Sequence, residues 1–146
     1  MDIPLVMEQV YNAPLEKVWC ALTEVESMRE WYFPQLENFK PVEGFDFVFK
    51  NDGSPYQKSW KVTKVEEGTL LAHSWTYVGY SGISEVIFKL LIDGEGTRLQ
   101  LIHVGIGSFP NDPHFARQRF ESGWENILGN NLRNYLSKEK EETRSL

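Results

Sequence analysis

With 146 residues, the chain is long enough for one domain with a substantial core and too short for two. Its net charge of −6 offers no basic footprint for a phosphate backbone or an anionic bilayer surface, which excludes nucleic acid as the expected partner. The start MDIPLVMEQV has no basic leader and no apolar run reaches membrane-spanning length, so the sequence predicts a cytoplasmic protein without integral membrane association.

In chain order, PLVMEQVYNA has the β-branched and aromatic content of a strand. NAPLEKVWCALTEVESMREWY then predicts two short helices, with Asn12 as the cap of the first, Pro14 near its first turn and Thr23 as the cap of the second. Val18, Trp19 and Leu22 form an apolar stripe at helical spacing. Cys20, the one cysteine, permits no intramolecular disulfide; with no histidine or basic pair beside it, it reads as a buried, inert thiol.

From EGFDFVFKNDG the period becomes two, with Phe45, Phe47 and Phe49 on one face and Asp46 and Lys50 on the other. Asn51-Asp52-Gly53 turns the chain. YQKSWKVTKVEEG, TLLAHSWTYVG, ISEVIFKLLIDG and GTRLQLIHVGIG follow as an antiparallel meander, in which Asp93-Gly94-Glu95-Gly96 is a strong hairpin signal. PNDPHFARQRF supplies Asp112 as cap and Pro113 at the first position of a helix expected to run to about Ser137. The domain thus covers 1–137, and 138–146 reads as a charged, solvated tail.

Parity along the strands groups Trp60 with Val62, His73 with Trp75 and Tyr77, Val86 with Phe88 and Leu90, and Leu99 with Leu101 and His103. On the last helix, Phe120, Trp124, Ile127, Leu128, Asn131 and Tyr135 share a broad face. Gly123 beside Trp124 costs an exposed helix roughly 1 kcal/mol relative to alanine, so a close packing partner or a ligand is expected there. These faces predict an α+β fold: a twisted antiparallel sheet wrapped around a long C-terminal helix, with two short helices closing one end.

Such an interior, with five Trp, six Tyr and nine Phe in the chain, can line a cavity or simply fill space. On the cavity reading the ligand-binding residues are Phe47, Trp60, His73, Trp75 and Tyr77, then Phe88, Leu90, Leu101 and His103, and from the last helix Arg117, Phe120, Trp124 and Leu128. His73, Tyr77 and His103 supply directional hydrogen bonds, and Arg117 meets an anionic ligand at the mouth. On the alternative reading the aromatics are packed core, their polar atoms bonded to backbone or water, and Arg117 sits in a surface salt bridge.

YNAPLEKVWCALTEVESMREWY, VEGFDFVF, GTRLQLIHVGIG and GWENILGNNLRNYL, in that order and spacing, resemble the Aha-type domain, named after an activator of the heat-shock-90 chaperone ATPase. The resemblance covers nearly the whole chain and places it in the START/Bet v-like (SRPBCC) superfamily. It implies the helix-grip fold, often with a hydrophobic cavity, and it carries over no catalytic residue; Gly44, Gly123 and Trp124 fall at structural or pocket-lining positions.

Motifs for chemistry are absent. His73, His103 and His114 have no metal-ligand spacing, and His114 is expected to be exposed near the helix start. GIGSFPNDP lacks the lysine and hydroxyl of a phosphate loop, and Asp46 and Glu85 point outward, so neither a cofactor nor a carboxylate pair is expected. Three functions remain: first, non-catalytic binding of a hydrophobic or amphipathic small molecule such as a lipid, polyketide-like or aromatic metabolite; second, a co-chaperone-like module that stimulates a heat-shock-90-type ATPase; third, a cyclase or hydrolase with a cavity His or Tyr as acid or base. Oligomeric state is left open.

Overall fold

The computed structural model describes residues 3–138, so the solvated tail read into 138–146 lies, apart from Lys138, outside the described residues. β1 (Leu5–Tyr11) leads into α1 (Leu15–Thr23) and α2 (Val25–Trp31), then into a small ladder of β2 (Leu36–Asn38) and β3 (Val48–Phe49). β4 (Val62–Glu66), β5 (Leu70–Trp75), β6 (Ser84–Asp93) and β7 (Gly96–Val104) follow, and α3 (Arg117–Asn126) opens the C-terminal helix. β1 returns beside β7, giving a five-stranded antiparallel sheet in the order β1-β7-β6-β5-β4. This is the α+β helix-grip arrangement, with the curved sheet around the C-terminal helix and the two short helices after the first strand.

The predicted hairpin joins β6 to β7 through Gly94 and Glu95, with Asp93 opposite Gly96; Gly94 takes the positive φ that so short a loop requires. The parity of β5, β6 and β7 holds, since His73, Val86, Phe88, Leu90, Leu99, Leu101 and His103 are all buried. In β4 the register shifts between Val62 and Lys64. That bulge keeps Val62 and Val65 on the inner side and leaves Thr63 and Lys64 exposed.

Several local expectations are corrected. Pro14 rather than Asn12 immediately precedes α1, and Glu24 precedes α2, while the Thr23 hydroxyl donates back to Trp19 O at 2.8 Å. Cys20 is exposed because it stands two residues from both buried Val18 and Leu22, on the far side of the helix from them. Asp112 does cap a turn, accepting from His114 N at 2.8 Å, but the turn ends after Phe115, Ala116 is extended, and α3 starts at Arg117. The break has a packing reason. In one continuous helix Phe115 and Phe120 would point roughly 140° apart, yet Phe115 packs on Tyr77 and Phe109, and Phe120 packs on Phe109 and Trp75.

The far end of that helix departs from the simple periodicity as well. Phe120, Trp124, Leu128, Leu132 and Leu136 are buried at strict four-residue intervals, while Asn131 and Tyr135 are only half-buried. In an ideal α-helix a four-residue row drifts by about 40° per step. Wide π-type turns over Ile127–Leu132 absorb this drift and bring Leu132 and Leu136 into the core. The same segment is tied to the sheet edge: Tyr11 OH donates to Leu128 O at 2.7 Å, and Arg133 donates to Val10 O at 3.0 Å. Among the described residues no helix is long and apolar enough to cross a membrane.

Candidate functional site

Both core histidines are held by partners on every side. His73 Nδ1 donates to Ser74 O at 2.8 Å, leaving Nε2 to accept from Tyr32 OH at 2.9 Å. Tyr32, from the aromatic run WYFP, is a partner that strand parity does not reveal, and its ring stacks on Trp31 at 4.7 Å. His103 Nδ1 accepts from the Trp124 indole at 3.1 Å, so the proton sits on Nε2 and is given to Ser84 Oγ, 2.9 Å away. Ser84 in turn donates to Trp75 O at 2.7 Å.

Burial pushes His73 down to about 4. It pushes His103, which also neighbours His73, down to about 3. Neutral at pH 7 and bonded at both nitrogens, these rings are poor candidates for acid–base catalysis and good ones for organising the core.

Between the start of α3, the Asn51–Lys58 loop and the end of β5 lies a half-open chamber of about 230 Å³. Trp75, Tyr77, Phe120, Trp124 and Phe33 form its aromatic wall, and Gly123 opens it from the helix side. A Cβ built on Gly123 meets nothing within 4 Å. Of the two explanations the sequence allowed for this glycine, close packing is therefore corrected; it borders space.

The polar atoms of the wall are less committed than those of the core. Trp75 Nε1 donates to Tyr77 OH at 2.9 Å, so the tyrosine hydroxyl keeps its own proton to donate. Lys58 Nζ sits 4.5 Å from the centre of the Phe33 ring, its pKa lowered by burial. Asp52 Oδ1 accepts from Ser54 N at 2.9 Å and Gln57 Nε2 at 2.7 Å, and these bonds hold its carboxyl below its ordinary range. At the mouth the His114 ring stacks flat on Tyr56, with centroids 3.6 Å apart; His114 is half-buried rather than exposed, and burial lowers its pKa.

The thirteen candidate residues therefore fall in three places. Trp75, Tyr77, Phe120 and Trp124 line the chamber. Phe47, Trp60, His73, Phe88, Leu90, Leu101, His103 and Leu128 are buried in the packed core outside its wall. Arg117 is elsewhere: it donates to the carbonyls of Ile3 and Pro4, pairs with Glu121 at 3.1 Å and borders a shallower groove of about 700 Å³ along the loop after β7. The helix-borne cation at the chamber is Arg119, and with Phe33, Tyr56, Lys58 and His114 it escaped the sequence reading. One signal was present, because Arg119, Gly123 and Ile127 recur every four residues along one ridge of the helix. Among the described residues no group of three or more His, Cys, Asp or Glu is placed to hold a metal ion.

Residues 12–137 match the family described as Activator of Hsp90 ATPase homolog 1-like protein. The chain belongs to this family. Among solved structures of similar fold, CalU16 from Micromonospora echinospora is 26% identical, with a TM-score of 0.71, covering 97% of this chain and 80% of its own. BH1534 from Bacillus halodurans is 25% identical at a TM-score of 0.73, covering 92% of this chain and 98% of its own. PFC0360w, described as an HSP90 activator from Plasmodium falciparum, is 17% identical at 0.68, covering 88% of this chain and 92% of its own; at that identity the likeness concerns the fold alone. No curated protein matches the sequence.

Proposed function

We propose that this Aha-type protein is a non-catalytic cytoplasmic carrier or sensor that holds a small aromatic or amphipathic molecule in the chamber beside Gly123. The observation behind this reading is an aromatic wall left unfilled at a helical glycine, where an alanine would both suit the helix and occupy the space. An apolar cavity of about 150 Å³ accepts benzene, and drug-sized ligands need about 300 Å³ or more. At about 230 Å³ the chamber suits one or two fused rings better than a lipid chain. Orientation would come from Tyr77, and Trp75 and Trp124 in the wall are ready optical reporters.

The test is a fluorescence and thermal-shift titration with small fused-ring compounds against the protein and its Gly123→Leu variant. Saturable quenching that disappears in a folded Gly123→Leu protein supports the proposal; absence of saturation across the panel overturns it.

Family membership favours a second reading, a module that stimulates a heat-shock-90-type ATPase. Such a module would act through its outer surface. Stimulation of chaperone ATPase that persists in Gly123→Leu would support this reading and separate it from the first; no stimulation at saturating protein would remove it.

A further inference from the structure

Resting on the small-molecule reading of the chamber, we infer that its ligand is a monoanion: a planar aromatic carboxylate whose rings lie against Trp75, Phe120 and Trp124 and whose carboxylate meets Lys58 and Arg119. Both cations line the chamber, and among the described residues neither has a carboxylate within ion-pair distance. In a chain of net charge −6, two such cations beside one aromatic wall run against the overall composition.

The nearby acids cancel them only in part, Asp52 offsetting one of the two charges. Asp52, the acidic residue of the wall, is engaged by Ser54 and Gln57. Asp112, behind the mouth, accepts from His114 N and from Tyr56 OH. His114 is held toward its neutral form by burial and by Arg119. Counting Lys58, Arg119 and Asp52 leaves one positive charge, which matches a carboxylate better than a phosphate dianion.

Desolvation adds a driving force. The Lys58 ammonium is half-buried over Phe33, and burial disfavours its charged form. A carboxylate entering beside the same aromatic wall offsets that cost. Tyr77, the partner of Lys58 across an isolated antiparallel bridge, has a hydroxyl proton to give the same group and lies within the electrostatic reach of Arg119. Together these groups provide two charges and a neutral donor beside an apolar surface, the composition that recognises an amphipathic anion.

The experiment compares 2-naphthoate with its uncharged isostere 2-naphthamide, by tryptophan fluorescence and calorimetry at pH 7 and low salt. The expected result is naphthoate binding about tenfold tighter than naphthamide, a preference that shrinks with added salt. Arg119 is exposed, so Arg119→Gln should fold; it is expected to remove most of the naphthoate preference and leave naphthamide within about twofold. Lys58→Met provides the second variant. Equal binding of the two compounds, or a preference that survives both substitutions, overturns the anion inference while the chamber reading stands. Binding of neither compound overturns both.

Discussion

At His103 both ring nitrogens are occupied, by the Trp124 indole and the Ser84 hydroxyl, whereas on the chamber wall Tyr77 retains a proton to donate and Arg119 has no carboxylate partner among the described residues. The two regions share residue types and even share Trp75 and Trp124. What separates them is whether each polar atom has already been satisfied within the protein. The histidines, the sequence's first candidates for chemistry, are core struts. The less conspicuous lysine and arginine are the groups with capacity left for a ligand. Trp60 Nε1 is the exception in the core, a buried N–H with no hydrogen-bond partner among the described residues.

The sharpest way to break this contrast is to remove a strut. His103→Ala strips the Trp124 N–H of its acceptor and leaves a cavity, so a loss of about 3–5 kcal/mol is expected in urea unfolding. A loss below about 1 kcal/mol would show that the network contributes little.

Acid should attack the same region. Both imidazoles titrate lower in the folded protein than the ordinary value of 6.5, so the unfolded chain takes up their protons first. Their contribution is complete above that value. It is lost as the pH falls toward about 4 for His73 and about 3 for His103. Near pH 5 the unfolded chain holds about two more protons, a slope of roughly 2.5 kcal/mol per pH unit. Urea midpoints between pH 7 and 4.5 measure it, and His103→Ala should roughly halve the slope.

Substitutions at the chamber wall should be milder. Tyr77→Phe removes the acceptor of the buried Trp75 Nε1 and a donor to the ligand without opening a cavity, so the expected loss of stability is about 1–2 kcal/mol by calorimetry. Gly123→Ala is expected to stabilise the helix by about 1 kcal/mol and raise the melting temperature while weakening binding of fused-ring compounds. Destabilisation would mean that the space is not open.

Much of the fold was legible because strand parity and turn chemistry are local. His73, Trp75 and Tyr77 share a side as period two requires, the Asp93–Gly96 turn closes the hairpin, and Phe120 and Trp124 face the sheet. The site was legible only in part. Arg117 falls in line with Trp124 by helical angle, yet its position in the first turn of α3 lets it reach the backbone entering β1; Arg119, one ridge over with Gly123, reaches the chamber. Lys58, Tyr56 and His114 lie in connecting segments, where no periodicity points to a face.

Alternation of apolar residues, glycine at a tight turn and the order of the elements were sufficient by themselves for the α+β class and for most inward-facing side chains, because each depends on neighbours a few residues apart. Whether an inward-facing polar atom ends up satisfied or available depends on groups far along the chain, such as Tyr32 for His73 and Trp124 for His103. Only the packing of the curved sheet against α2 and the C-terminal helix brings those groups within hydrogen-bonding distance, and so only the tertiary structure decided which part of the interior is core and which is chamber.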